Sequence, residues 1–422
     1  MDKNNKQKIQ KLVAELLEIR TQNISYETVE LLAVFIIYAD ISKREIFIDE
    51  QYDSNKEFIN STIEDLSKNN EPVKELILPL KRYLASSLER VNDIINHFTL
   101  SQRVNIPHDG INYCLSLFGE YKGQHTDNLV TPRAILELSN DIFSFPDGSR
   151  VLDLNARKGE WSDLLTEGLY SEHLSLTDYC FEPSHFVINT LKAKLNGTGN
   201  RQAKLYVNYD LNDLERDGYN VVFANPSFGN MPLESSWNPR HKIHTHFLYL
   251  ALKACKPGGK IIFIVPESFL NSGGKYDCRL REELINEGDL KTVIRLPSSA
   301  FEPYSKVNTA ILVIEKGPEK SDVMFVDLNK KLNEFGSQEA QDILDLSQGK
   351  SLDSVFPYSL VNLNGIRESG FDLRASRYIE KGIDKVYSTP NELRDNINAK
   401  EKELENVRLK IESLIGLMEQ EK

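Results

Sequence analysis

The chain reads as an α/β protein: a helical bundle domain, then a seven-stranded and mostly parallel sheet covered by helices on both faces, then a C-terminal heptad helix. Three patterns predict this. Apolar residues recur at helical spacing through residues 1–105, short apolar runs alternate with amphipathic segments from about residue 148, and residues 381–422 carry a heptad. The divisions that follow are 1–105, 106–330, a connecting segment at 331–380, and a terminal helix at 381–422.

The bundle rests on Ile9, Leu12, Val13, Leu16 and Leu17, then Val29, Leu32, Ala33, Ile36 and Ile37, then Leu76, Leu80, Tyr83, Leu84 and Leu88. Each set marks one face of a helix, with charged residues on the outer faces. Strands are expected at Val151–Asp153, Leu174–Glu182, Lys204–Asn208, Val221–Ala224, Lys260–Val265, Thr292–Leu296 and Ala310–Ile314. Helices fall between them at Trp161–Leu169, Ser184–Leu195, His246–Cys255 and Arg279–Glu287. Such alternation implies parallel pairing, and ligands in these sheets bind at the carboxyl ends of strands. Residues 336–370 are polar and rich in Ser, Gly and Asn, which reads as a connection with one short helix. Leu393, Ile397, Leu404, Val407, Ile411, Leu414 and Met418 then follow a heptad, with Lys400 in the remaining core slot. That helix either folds back on its own chain or docks on another subunit.

Composition sets outer limits. With 422 residues, 40% hydrophobic and 27% charged, the chain is globular and too long for one ordinary core. Its four cysteines, Cys114, Cys180, Cys255 and Cys278, lack paired spacing, which argues against a disulfide framework or a zinc site and fits a reducing cytoplasm. The first residues carry no apolar signal core, and the run Leu31–Ala39 is too short to cross a bilayer, so no membrane role is expected.

The chemistry gathers at the expected strand ends. Asn225-Pro226-Ser227-Phe228, closed by Gly229, follows the buried run Asn220–Ala224. An asparagine oxygen and a proline carbonyl can each accept one hydrogen of an exocyclic amine, while the phenylalanine offers a stacking face. A second pair, Asn238-Pro239, follows polar residues and reads as loop. Asp153 opens the turn Leu154-Asn155-Ala156-Arg157-Lys158-Gly159, where backbone approaches a nucleoside. Glu182 closes the second strand, where an acid can hold two ribose hydroxyls, and Asp210 after the third could accept from an adenine amine. Taken singly, each acid also suits a cap or a solvated strand end. Together they form a register of four polar residues after four successive strands.

These segments resemble the gamma-type amino-methyltransferases that modify adenine in DNA, above all the modification subunit of type I restriction-modification systems. The match runs through Leu129-Val130-Thr131-Pro132-Arg133, the strand ends above, Lys256-Pro257-Gly258-Gly259-Lys260 with Ile261–Pro266, Ile294-Arg295-Leu296-Pro297 and Thr309-Ala310-Ile311-Leu312. It is clear over residues 110–330, and looser for the N-terminal helices and for Phe371-Asp372-Leu373 to Arg377-Tyr378. The resemblance implies a Rossmann-like seven-stranded methyltransferase sheet that binds S-adenosylmethionine. Thr131 and Pro132 would flank the cofactor, Asp153 and Gly159 would lie near its amino-acid part, Glu182 on its ribose and Asp210 on its adenine. Asn225 and Pro226 would hold the amine of a flipped adenine stacked on Phe228, with no metal involved.

The chain departs from the family pattern at two points in this machinery. Arg157 stands where a glycine is usual, at a cost of about 1 kcal/mol or more if its φ is positive, and Ser227 replaces a second proline while leaving both acceptors and the ring. Leu154 also stands where a proline is frequent. The expected activity is N6-adenine methylation of double-stranded DNA; the alternative is a pseudo-methyltransferase retained as a DNA-binding or assembly subunit. The same site could also take RNA or a protein glutamine. A net charge of -12 implies either a local basic surface or a partner that makes most of the DNA contacts. A separate specificity subunit docked on the terminal helix is therefore expected, with a nuclease subunit as a further possible partner. His241, His244 and His246 lack a carboxylate or cysteine at metal-ligand spacing and read as loop residues facing DNA or solvent.

Overall fold

The computed structural model describes residues 1–20, 24–45, 54–68, 71–85, 89–101, 107–122, 131–142, 149–167, 174–178, 183–195, 204–207, 218–229, 242–298, 300–301, 305–317, 321–328, 345 and 356–379. The terminal heptad lies outside them. Helices α1 (Lys3–Glu18), α2 (Tyr26–Glu45), α3 (Asn55–Ser67), α4 (Glu71–Ala85), α5 (Glu89–His97) and α6 (Pro107–Lys122) build the bundle. Asp2 starts α1 by accepting from the Asn5 amide at 2.8 Å, and Ser54 does the same for α3 at 3.2 Å from Glu57, satisfying donors that a helix leaves open. Every residue from Thr28 to Ser42 is buried, so α2 is the central helix, wrapped by α1, α3, α4 and α6.

The sheet and its helices follow as α7 (Arg133–Ile142), β1 (Val151–Asp153), α8 (Glu160–Glu167), β2 (Leu174–Asp178), α9 (Pro183–Leu195), β3 (Lys204–Val207), β4 (Tyr219–Ala224), α10 (Ile243–Ala254), β5 (Cys255–Pro266), α11 (Lys275–Glu287), β6 (Leu290–Arg295) and β7 (Thr309–Glu315). All seven expected strands are present. Beyond them lie β8 (Val323–Asp327), β9 (Tyr358–Val361), α12 (Leu363–Glu368) and α13 (Ala375–Tyr378). The strand order is β3-β2-β1-β4-β5-β7-β6-β8-β9. Strands β1 to β5 pair in parallel, and β7 runs antiparallel between β5 and β6. Residues 356–379, expected as connection, instead extend the sheet with β9 and set α12 and α13 beside it; Ile366 and Leu373 are fully buried there.

Order reverses between β1 and β4. The chain winds outward through β2 and β3 on one side and through β5 on the other, which leaves a crevice at the carboxyl ends of β1 and β4. Trp161 of α8 stacks on Phe223 of β4 at 4.6 Å and closes the sheet beneath that crevice. At β5, Gly259 is required by close approach: a Cβ there would lie 2.7 Å from the Cys255 sulfur and 2.9 Å from the Asn220 carbonyl oxygen.

The division expected between residues 105 and 106 does not mark a break in packing. Ile111, Cys114, Leu115 and Phe118 of α6 and Val187, Ile188 and Leu191 of α9 lie in the same apolar core as α1 to α5, and Met1–Tyr378 is one compact unit. Helix α9 thus belongs to both the bundle and the sheet. A buried ion pair joins them again, Lys158 after β1 to Glu30 of α2 at 2.6 Å, with side chains 9% and 2% exposed. Removing one partner of such a pair leaves an uncompensated charge. Glu30→Ala is expected to destabilise the chain by about 3 kcal/mol and Glu30→Gln by clearly less, measured as shifts of the urea unfolding midpoint.

Candidate active site

The loop after β1 is pinned from three sides. The Leu154 amide donates to the Phe223 carbonyl at 2.9 Å, and the Gly159 amide to the Ala156 carbonyl at 2.6 Å, making the tight turn. From α9, Asn189 Nδ2 donates to the Arg157 carbonyl at 2.6 Å and Lys192 Nζ to the Lys158 carbonyl at 2.5 Å. Lys192 also pairs with Asp163 at 2.8 Å, which accepts from Asn112 Nδ2 at 2.7 Å. Asp153 is 1% exposed at the base of this loop. Gly159 has φ +80°, and Arg157 has φ +47°. The left-handed turn is therefore kept although arginine occupies the glycine position, a conformation that costs an L-residue roughly 1–2 kcal/mol.

The loop after β4 faces it. Asn225 is 3% exposed; its Nδ2 donates to Thr131 Oγ1 at 2.7 Å, and its backbone carbonyl accepts from Asn155 Nδ2 at 3.1 Å. With the amide nitrogen committed to Thr131, Oδ1 is left buried and without a partner among the described residues. An orphaned buried acceptor costs on the order of 1–3 kcal/mol, and a donor from a ligand would relieve that cost. Pro226 and Ser227 are buried beside it, and half-buried Phe228 is braced edge-on by Phe301 at 6.3 Å.

The structure thus brings Thr131, Asp153, Gly159, Asn225, Pro226 and Phe228 to the β1/β4 crevice. Pro132 sits at the start of α7, where its carbonyl accepts from Ile135 at 2.9 Å. Thr131, expected beside the cofactor, accepts with its hydroxyl oxygen from the Asn225 amide nitrogen. Glu182, Asp210, Asn238, Pro239 and His241 lie outside the described residues. Sequence reasoning missed the α9 donors Asn189 and Lys192, and it missed the contact between Arg157 Nη2 and Ser227 Oγ at 3.0 Å.

His244 and His246 are not loop residues: both are buried in the first turns of α10. Burial pushes the His244 imidazole down to about 4, with Asp277 opposing the shift and Lys242 adding to it. For Asp277 burial acts upward, but hydrogen bonds from Thr245 and Ser272 and the charges of His244 and Lys242 bring its carboxyl below the usual value.

Two measurements follow. The folded His244 titrates near 4 and the unfolded one near 6.5, so the unfolded chain binds the proton first; stability should fall as pH drops from about 6.5 to about 4 and His244→Phe should flatten that limb of a urea-midpoint profile. Thr131→Val should cost about 1–2 kcal/mol by stranding the Asn225 amide, while Thr131→Ser retains the midpoint.

Residues 192–385 match the family model for N-6 DNA methylases. The methylase subunit of the type I restriction enzyme MpnII from Mycoplasma pneumoniae is 23% identical over 350 residues, covering 73% of this chain and 63% of its own length. The corresponding EcoKI subunit of Escherichia coli K12 is 29% identical over 146 residues, 30% of this chain and 27% of that one. The chain therefore spans less than two thirds of the curated relatives it matches. Among solved structures, the type I restriction-modification methyltransferase subunit from Streptococcus thermophilus superimposes with TM-score 0.67 at 16% identity, covering 89% of this chain and 99% of that one. A chain of another type I R-M system gives 0.64 at 16% identity, with 100% and 99% coverage. No helix among the described residues is long and apolar enough to cross a membrane. Residues 192–385 of this chain thus resemble the N-6 DNA methylases, and the Asn-Pro-Ser-Phe strand end lies within that match.

Proposed function

We propose that the chain is an S-adenosylmethionine-dependent DNA N6-adenine methyltransferase, the modification subunit of a restriction-modification complex. The observation that carries this reading is the Asn225 amide: its nitrogen is held by Thr131, and its buried oxygen has no donor among the described residues. An adenine amine fits that oxygen and the Pro226 carbonyl together, with Phe228 as the stacking face. Two acceptors on one amine draw it toward tetrahedral geometry and expose its lone pair. Burial of Asn225, Pro226 and Ser227 keeps water from the reacting nitrogen.

The residues present also fit the cofactor. A left-handed Gly159 lets backbone approach closely, and Asp153 lies at the base of the same loop. Glu182 and Asp210 are assigned to the cofactor's ribose and adenine on their place after β2 and β3. S-adenosylmethionine, when bound, supplies an electrophilic methyl group, and the chain's part is to hold the amine in line with it. The net charge of -12 favours a separate subunit for sequence reading and most DNA contacts. Residues 381–422 are the assigned dock for it, and a nuclease subunit is assigned to the same assembly on the relatives' restriction-enzyme names.

Asn225→Ala should lower methyl transfer to DNA by roughly 10²-fold or more while cofactor affinity changes less than about twofold, since the amide meets the base. The checks are adenine methylation by mass spectrometry with the co-purified partner and titration calorimetry with S-adenosylmethionine. Methyl groups found on RNA or on protein glutamine instead would overturn the substrate, and equal loss of cofactor binding would overturn the site.

A further inference from the structure

The parallel register of β1 and β4 sets Val151 opposite Val221 and Asp153 opposite Phe223. The same offset of 70 residues continues past both strand ends, through Asn155 Nδ2 on the Asn225 carbonyl to Arg157 Nη2 on Ser227 Oγ. Two of the three positions where this chain departs from the pattern of the methyltransferases it resembles, Arg157 and Ser227, are therefore partners across the crevice. Both are buried, Arg157 at 5% and Ser227 at 9% exposed. The Arg157 backbone is left-handed and its carbonyl is clamped by Asn189, so the side chain leaves the loop in a fixed direction. A guanidinium donating to a hydroxyl in a dry setting is a charge-assisted hydrogen bond, stronger than a neutral one. A proline at position 227 would offer that guanidinium no side-chain acceptor.

From this geometry we infer that Arg157 and Ser227 form a strut, a pair of positioning residues that ties the cofactor loop to the loop presenting the amine acceptors. The inference deepens the methyltransferase reading and rests on it. In-line transfer needs the two loops at a fixed separation, and a displacement of about 1 Å costs rate steeply. The strut holds that separation by side chains, and it holds the left-handed turn at Arg157 in its binding-ready form. Ser227 lies on the base side of the crevice, yet through Arg157 it sets cofactor affinity.

The test is a double-mutant cycle on the full chain, read as the dissociation constant for S-adenosylmethionine by titration calorimetry. Ser227→Ala should weaken binding about fivefold, and Ser227→Cys, which keeps the shape but is a poor acceptor, should follow it. Ser227→Thr should stay within about twofold of the unaltered chain. In an Arg157→Gly background, Ser227→Ala should have no further effect, because the strut is already gone. Unchanged affinity in Ser227→Ala and Ser227→Cys, or the same loss in both backgrounds, overturns the strut alone. No binding heat from the unaltered chain overturns the cofactor reading and the strut with it.

Discussion

Parallel pairing of β1 with β4 fixes which residues meet at the top of the sheet. Three-residue β1 is too short to do this by length; it does so because Val151, Leu152 and Asp153 are buried and hydrogen-bonded between β2 and β4. A slip of one residue would turn its side chains to the wrong face. It would also break the Asn155 contact with the Asn225 carbonyl and the Arg157 contact with Ser227. Orientation of the Asn225 amide then depends on a further partner, Thr131, which arrives from the segment just before α7.

The loop after β1 is costly to hold. It carries one non-glycine left-handed residue, a buried lysine and carbonyls turned away from any regular ladder. Each cost is offset by a group from another element: Asn189 and Lys192 of α9 on the carbonyls, Glu30 of α2 on the lysine, Ser227 on the guanidinium. The bundle is thereby part of the site's support. That is why α9, a sheet helix by sequence order, contributes Val187, Ile188 and Leu191 to the bundle core.

Much of this was legible in the sequence, and the illegible part has a physical pattern. Strands β1 to β7 stood out because each is an apolar run bounded by polar residues. Strand β8, Val323–Asp327, was not among the runs singled out. Strand β9 is four residues long with Leu360 62% exposed, so it shows no apolar face. The placing of Asn225 and Asp153 at strand ends was readable because each closes a short apolar run. The positive φ at Arg157 was readable only as a condition. Thr131 as the partner of Asn225 was not, because the two are 94 residues apart and meet only through tertiary packing. His244 and His246 misled for a related reason: polar type suggested a loop, whereas α10 buries them.

The ion pair between Lys158 and Glu30 spans 128 residues of chain, and this sets an order of events in folding. Contacts of high sequence separation pay loop-closure entropy before they return anything, so they form late. The bundle helices leave the ribosome before the sheet and can assemble on local contacts, whereas the turn after β1 acquires its counter-charge only once α2 is in place. A fragment starting at the sheet would contain every strand-end residue and still carry a lysine with no anion beneath it. The turn after β1 thus depends for its counter-charge on a helix that precedes it by 128 residues.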